Sequence, residues 1–441
     1  MYLINPIQQL GSKLLVFKNC QRFDFTFKDP TEALADLCAH ACRQVPYYRQ
    51  RFAATGLTRP DSLDIKRWQY VPILTKEDLK THFEELKNED MSFRKWKQNS
   101  TGGSTGRPTR FIQDATYDLH KTKALHFYFR NILGIDYSQV RKLILWGSPR
   151  DILKQKETMK SRVANWLQNQ IILNCFHISE KELYFYVKTM QRFQPQLIRG
   201  YARGLYELAK YILRKNIKLP APHFVISQAS NLTETMRRTM VEAFGCPVRN
   251  FYGGREVSAM AGEGDDGLLH IFSFWNHLEI LDKNNCPVKE GEEGRVVVTN
   301  LYNYAMPLIR YEIGDCAVLG PISDRYGYRH ATLKEVTGRL IENFVRRDGT
   351  VIPGNFFTHF IGVVFNDGSI DKFQVIQKDF EQIKISLVSP QKLAAELIDK
   401  IETNVKRVLG DACQIEWEYL QDIPKTPEGK VFITRSLVKR T

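Results

Sequence analysis

The chain has no long apolar run. Among its 441 residues, hydrophobic stretches such as Leu143–Trp146 are far shorter than a bilayer-crossing helix requires, so a transmembrane protein is not expected. The opening residues, Met1–Tyr2–Leu3–Ile4–Asn5–Pro6, lack a basic segment followed by an apolar core, so no secretory signal is expected. Cysteine is sparse, with eight residues dispersed at 20, 38, 42, 175, 246, 286, 316 and 413. Without an export signal, dispersed cysteines point to reduced thiols and a cytoplasmic location. No internal repeat or low-complexity tract is visible, which excludes a solenoid or a largely disordered chain. Acidic residues are in deficit, 49 against 63 Lys and Arg, leaving a formal charge of +14. Such a balance attracts nucleic acid, anionic membranes or small anions. The cations are spread along the chain, however. The densest patch, Lys154, Lys156, Lys160 and Arg162, fits either a solvated helix face or a polyanion site. No nucleic-acid module accompanies it, so nucleic acid is not an expected partner.

What is present is an ordinary globular composition, 43% hydrophobic and 25% charged, at a length that suggests two or three domains. Residues 1–95 read as mainly helical. Pro30 after Asp29 opens a helix to about Phe52, and Thr75–Lys76–Glu77–Asp78 marks another start. From about Lys142, apolar strands (Lys142–Trp146, His223–Ser227, Val248–Tyr252) alternate with helices (Leu205–Lys215, Thr233–Phe244). That alternation predicts an α/β fold with parallel pairing. A strand-rich section follows, with His277–Leu281 and Gly294–Thr299. After Gly338 the pattern changes to a strand pair, Phe373–Gln377 and Ile383–Val388, then a helix over Lys392–Leu409 and a strand over Gln414–Tyr419. The predicted organisation is a large mixed α/β domain over 1–337 and a small α+β domain over 338–441, with a ligand cleft between them.

Seven of the nine residues Ser100–Thr101–Gly102–Gly103–Ser104–Thr105–Gly106–Arg107–Pro108 are Ser, Thr or Gly, and an arginine and a proline close the run. Glycines let backbone N–H groups approach a ligand, and successive N–H and hydroxyl groups form an anion-binding concavity. Arg107 adds a planar fork of donors suited to phosphate. The competing interpretation is a solvated Ser/Gly linker. The spacing is neither Gly-Lys-Ser/Thr nor the dinucleotide Gly-x-Gly-x-x-Gly pattern. A short strand over Thr109–Gln113 and a helix from Ala115 to Leu133, capped by Asp114 and stopped by Gly134, follow directly. A loop mounted between such elements favours a functional role.

Four later segments carry chemistry. Asn250–Phe251–Tyr252–Gly253–Gly254–Arg255–Glu256 lies at a strand's C-terminal end, where open α/β sheets bind ligands. There Tyr252 is suited to stacking on a base and Glu256 to holding Mg²⁺ beside phosphates; a plain turn fits as well. Pro307–Leu308–Ile309–Arg310–Tyr311–Glu312–Ile313–Gly314–Asp315 ends in an acid that could accept ribose hydroxyls or simply terminate a turn. Gly338–Arg339 lies at the expected domain junction, and Ile423–Pro424–Lys425–Thr426–Pro427–Glu428–Gly429–Lys430 forms a rigid turn presenting Lys430. Cys38–Ala39–His40–Ala41–Cys42 invites a metal reading, but helical spacing puts both cysteines on one face and His40 elsewhere.

The order of these segments resembles the adenylate-forming enzyme superfamily, over nearly the whole chain. Val45–Pro46–Tyr47–Tyr48, Val71–Pro72–Ile73–Leu74–Thr75–Lys76–Glu77–Asp78 and Tyr252–Gly253–Gly254–Arg255–Glu256 are similar to its phenylacetate–CoA ligase and CapK-like (capsule polysaccharide) branch. The resemblance implies that Ser100, Thr101, Gly102, Gly103, Ser104, Thr105 and Gly106 wrap the phosphates of ATP, with Arg107 where lysine is usual. It implies that Tyr252 and Gly253 border the adenine, that Glu256 helps bind Mg²⁺, that Asp315 holds the ribose with Arg339 nearby, and that Lys430 assists adenylation. The implied reaction joins a small-molecule carboxylic acid to ATP, releases pyrophosphate, and passes the acyl group to CoA or to an amine. The small domain is implied to rotate between the half-reactions. A surface-polysaccharide or secondary-metabolite role is the implied setting, and a non-catalytic nucleotide-binding scaffold is the alternative. Two departures stand out. Ile341 replaces the usual hinge aspartate, and Met260–Ala261–Gly262–Glu263–Gly264 lacks the cysteines with which some relatives bind zinc, so no zinc is expected.

Overall fold

The β-rich middle of the chain forms one sheet of eleven strands, half parallel and half antiparallel. The computed structural model describes residues 27–54, 65–100, 109–147, 159–175, 178–229, 232–337, 340–341, 344–352, 354, 356–357, 360–361, 369–424 and 432–438. A hairpin of β1 (Trp96–Ser100) and β2 (Arg110–Asp114) precedes this sheet, with Ser100 opposite Arg110. The parallel half contains β3 (Lys142–Trp146), β4 (Gln170–Asn174), β5 (Leu197–Tyr201), β6 (Phe224–Gln228) and β7 (Val248–Gly254), in spatial order 4-3-5-6-7. Helices Glu180–Phe193, Ala202–Arg214 and Glu234–Phe244 make the crossovers. Their ends follow local chemistry. Ser179 and Glu182 form a capping box, Thr233 accepts from the Met236 N–H, and Gly245 leaves the third helix at φ 65°. The middle helix buries Leu205, Leu208, Ala209 and Ile212, spaced three and four apart, against Leu145, Ile198 and Val225.

The antiparallel half continues from β7 through β8 (Ser258–Glu263), β9 (Leu269–Ile271), β10 (Asn276–Leu281), β11 (Glu293–Asn300), β12 (Tyr311–Ser323) and β13 (His330–Thr337), in spatial order 8-9-13-12-11-10. A second sheet of five strands holds β14 (Leu340–Ile341), β17 (Lys372–Asp379), β18 (Gln382–Val388), β19 (Gln414–Tyr419) and β20 (Phe432–Ser436), in the order 14-20-17-18-19. Helix Ala395–Leu409 packs Ile401, Val405 and Val408 into a separate core with Phe373, Val375 and Ile385. The short hairpin of β15 (Phe344–Val345) and β16 (Val351–Ile352) touches the larger sheet's helical layer. There Val351 and Ile178 exchange backbone hydrogen bonds at 3.1 and 3.3 Å. The expected α/β architecture with a smaller α+β C-terminal part is thus the observed one.

Two expected helices are interrupted. The segment from Pro30 ends at Gln44, and Pro46 opens a second helix to Ala54. Proline has no N–H to continue the first ladder and disfavours helical backbone at Val45, which is extended at φ −122°. The helix from Ala115 is regular only to Phe127 and then widens into a π-turn, Tyr128–Ile132, before Gly134 at φ 69°. Among the described residues no helix is long and apolar enough to cross a membrane.

Candidate functional site

β7 and β8 are joined by a tight hairpin in which Gly254 pairs with Ser258, leaving Arg255, Glu256 and Val257 as the loop. Three buried side chains fix that loop from below. Trp275 Nε1 donates to the Val257 carbonyl at 3.1 Å, Asn276 donates to the Ala259 carbonyl at 2.7 Å, and Gln113 Nε2 donates to the carbonyls of Arg255 and Glu256 at 3.0 and 3.1 Å. Gly253 has no room for a side chain, since a Cβ there would lie 2.6 Å from the Ser258 carbonyl oxygen. Gly253→Ala is therefore expected to force β7 and β8 apart and destabilise the protein by about 1–3 kcal/mol, as overpacking does. A thermal midpoint unchanged from wild type would refute that close approach.

Glu256 is 6% exposed, and its Oε1 accepts from the Tyr311 hydroxyl at 3.3 Å. Among the described residues no Lys or Arg forms an ion pair with it. A buried carboxylate held by one phenol is under-compensated and suited to receiving a cation. Magnesium takes one or two carboxylates together with phosphates and water, so a single acidic ligand fits. Among the described residues no group of three or more His, Cys, Asp or Glu is arranged around a common metal position.

Asp315 reaches the same place from the antiparallel half. Arg295 pairs with Cys316 and Val297 with Glu312, so Ile313, Gly314 and Asp315 bulge opposite the single residue Val296. Gly314 at φ 88° makes that bulge possible. The Asp315 carboxylate accepts from the Tyr252 hydroxyl at 3.0 Å. Nearby Arg310 is 2% exposed and structural. It makes two hydrogen bonds to the Glu279 carboxylate, both 3.0 Å, and NH1 donates to the carbonyls of Gln69 and Val71 at 3.0 and 2.6 Å. With Leu74 bridging to Tyr311, it ties the N-terminal helical section to β12.

Ser100 ends β1, and Arg255 NH1 donates to its carbonyl at 3.2 Å. Both anchors of the Ser/Thr/Gly loop therefore sit against the Glu256 hairpin: Ser100 through Arg255, and β2 through Gln113. Thr101, Gly102, Gly103, Ser104, Thr105, Gly106 and Arg107 lie outside the described residues, as do Arg339 and Lys430. Ser100, Tyr252, Gly253, Glu256 and Asp315 are brought together. Sequence reasoning did not single out Gln113, Tyr311 or Asn276; each acts through a tertiary contact that no local pattern signals.

The Cys38–Cys42 pair is not a metal site in outline. Cys38 is buried and its thiol is pushed above the usual range by burial, while His40 turns to the Tyr304 carbonyl at 3.2 Å and to Asn88. Phe251 belongs to the core, with ring centroids 5.1 Å from Tyr128 and 6.0 Å from Phe272. Tyr201 is buried and stacks on the exposed Trp146 at 4.5 Å.

Comparison with known proteins agrees with this layout. A family model, the CapK C-terminal domain, matches residues 344–436. Protein CapK of Staphylococcus aureus is 29% identical over 363 residues, covering 82% of this chain and 78% of that protein. Phenylacetate-coenzyme A ligase of Thermus thermophilus is 22% identical over 441 aligned positions, covering 91% and 94%. In fold, a 2-hydroxyisobutyryl-CoA ligase solved with 2-HIB-AMP and CoA superposes with a TM-score of 0.60 at 15% identity, covering 92% of this chain and 89% of the other. In architecture and over most of its length, the chain is thus similar to CapK and to the phenylacetate-coenzyme A ligases, with a CapK C-terminal domain at its end.

Proposed function

We propose that this protein activates a small carboxylic acid with ATP, forming an acyl-adenylate and pyrophosphate, and then transfers the acyl group to CoA or to an amine. One observation supports this reading above all. The Tyr252–Asp315 contact and the buried Glu256 share one end of the sheet with both anchors of the Ser/Thr/Gly loop. That is the C-terminal end of β7, where a nucleotide would bind.

Residue roles follow from this placement. Ser100 to Gly106, with Arg107, would cradle the phosphates. Tyr252 and Gly253 would border the adenine, and Asp315, aligned by the Tyr252 hydroxyl, would accept from the ribose hydroxyls, with Arg339 alongside. Glu256 would help hold Mg²⁺, which when bound supplies charge neutralisation for the phosphates. A carboxylate is a poor electrophile and is repelled by the α-phosphate. Arg107 and Lys430 would reduce that repulsion, and fixed positioning would supply the remainder of the rate gain. We place the division between large and small domains at 337/338. The replaced hinge residue Ile341 sits in β14, paired with Thr434 of β20, so a rotation there would move the whole second sheet. We further propose a biosynthetic setting, surface polysaccharide or secondary metabolism, for a cytoplasmic enzyme.

The direct test is carboxylate-dependent ATP–pyrophosphate exchange across a panel of acids, followed by product mass with CoA or amine as acceptor. Exchange with at least one acid is expected; no exchange with any acid, together with no ATP binding, would leave only a scaffold role. Asp315→Asn is expected to raise the KM for ATP at least about tenfold, the usual scale for losing a charge-assisted hydrogen bond. An unaltered KM would remove Asp315 from the nucleotide site.

A further inference from the structure

The parallel half of the sheet has one covered face and one partly open face. Ile172, Ile144 and Arg199 are in register across β4, β3 and β5, and Tyr201 is level with Gln228 of β6. On this face Ile172 is 45% exposed and Trp146 38% exposed, whereas Leu143, Leu145 and Ile198 on the opposite face are fully buried. Ile172 stands on the edge strand β4 and Trp146 at the C-terminal end of its neighbour β3; parallel sheets are normally covered on both faces, so a Trp–Ile shelf left exposed among the described residues is a surface open to a ligand.

At the inner end of the shelf stands Arg199, only partly buried. Its NH1 donates to the Tyr137 hydroxyl and its NH2 to the Gln228 Oε1 at 3.2 Å, and the guanidinium lies over the Phe129 and Tyr137 rings. Its Nε is buried with no hydrogen-bond partner. These partners are all neutral. Behind it, Lys142 is 1% exposed, donates to the Tyr137 carbonyl at 2.8 Å, and has its ammonium pKa brought down to about 8 by burial and then by Arg199. The acid acting on Lys142 is Asp136. Two neighbouring cations with so little compensation are costly unless an anion completes them.

The shelf is continuous with the candidate site. Gln228 pairs with Phe251, next to Tyr252, and Arg255 is close enough to Tyr201 to act on its phenol. Arg199 is level with Ile226 and Arg249, three residues before Tyr252, and two strands across from β7. At about 3.3 Å per residue and 4.8 Å per strand, that is on the order of 14 Å from Tyr252. A carboxyl reacting at the Tyr252 end cannot also sit at Arg199.

We propose that this shelf binds the body of the acid, and that the acid carries a second anionic group, distant from the reacting carboxyl, which Arg199 receives. The inference rests on the acid-activating reading. Trp146 and Ile172 offer the apolar contact, and Arg199 with Gln228 sets the specificity. Carboxylate, sulfonate and phosphonate share the required chemistry.

The test compares α,ω-dicarboxylic acids with their monomethyl esters in ATP–pyrophosphate exchange, in wild type, Arg199→Leu, Arg199→Lys and Gln228→Leu; ω-sulfonate and ω-phosphonate acids identify the preferred anion. Wild type is expected to favour the dianion at least tenfold in kcat/KM. Arg199→Leu should abolish that preference while keeping ester-dependent exchange and ATP affinity; Arg199→Lys should restore part of it. Equal use of diacid and ester by wild type, or an equal loss of both in Arg199→Leu, overturns the proposal. If Arg199→Leu does not fold, loss of the preference in Gln228→Leu decides. If no acid supports exchange, the acid-activating reading fails separately. Thermal stabilisation of the intact protein by dicarboxylate alone, lost in Arg199→Leu, then still supports an anion site, and its absence overturns one.

Discussion

Lys430→Ala is expected to lower ATP–pyrophosphate exchange by about 10²–10³-fold, the scale of removing one group that stabilises charge developing in the transition state. ATP affinity should change little, because Lys430 is assigned to the adenylation step rather than to the nucleotide itself. Its neighbours are well anchored. Ile423 is buried before the turn, and β20 begins two residues after Lys430, paired in parallel with β14 and β17. Exchange rates and equilibrium nucleotide binding, measured on the same preparation, separate the two effects. Full exchange activity in the variant would overturn the role, and a parallel loss of ATP binding would move Lys430 into the nucleotide site.

Arg310→Leu should be the most destabilising single change near the site, costing about 3–5 kcal/mol, because it leaves the Glu279 carboxylate without its partner. The arginine is 2% exposed and also satisfies the carbonyls of Gln69 and Val71, so both ion pairing and backbone hydrogen bonds are lost. The double variant Arg310→Leu/Glu279→Leu should recover part of the loss, since removing both partners leaves no buried charge. Denaturation midpoints of the two single variants and the double variant give the coupling. A single variant as stable as wild type would mean that Arg310 does not hold the N-terminal section to β12.

The legibility of this chain differed by level. Strand–helix alternation from Lys142 to Phe244 is a short-range pattern, and it placed β3, β6 and β7 and the helix after Thr233 close to where they lie. Local breakers that act against an otherwise helical stretch were less visible. Pro46 splits one helix, and the π-turn at Tyr128–Ile132 has no composition signature. The antiparallel order 8-9-13-12-11-10 was not legible, because pairing between β9 and β13 depends on contacts across about sixty residues of chain.

The sequence by itself determined the α/β class and pointed to the family it resembles, because motif order, periodicity and caps are local properties. Only the tertiary structure decided that Tyr252 meets Asp315, that Tyr311 holds Glu256, and that Gln113 fixes the hairpin between them. Those contacts join residues 55 to 143 positions apart. They exist because a bulge at Gly314 and a glycine-tight hairpin at Gly253 aim side chains from separate strands at one point. The open shelf at Arg199 is likewise a product of the fold, since a strand's exposure is set by what packs over it.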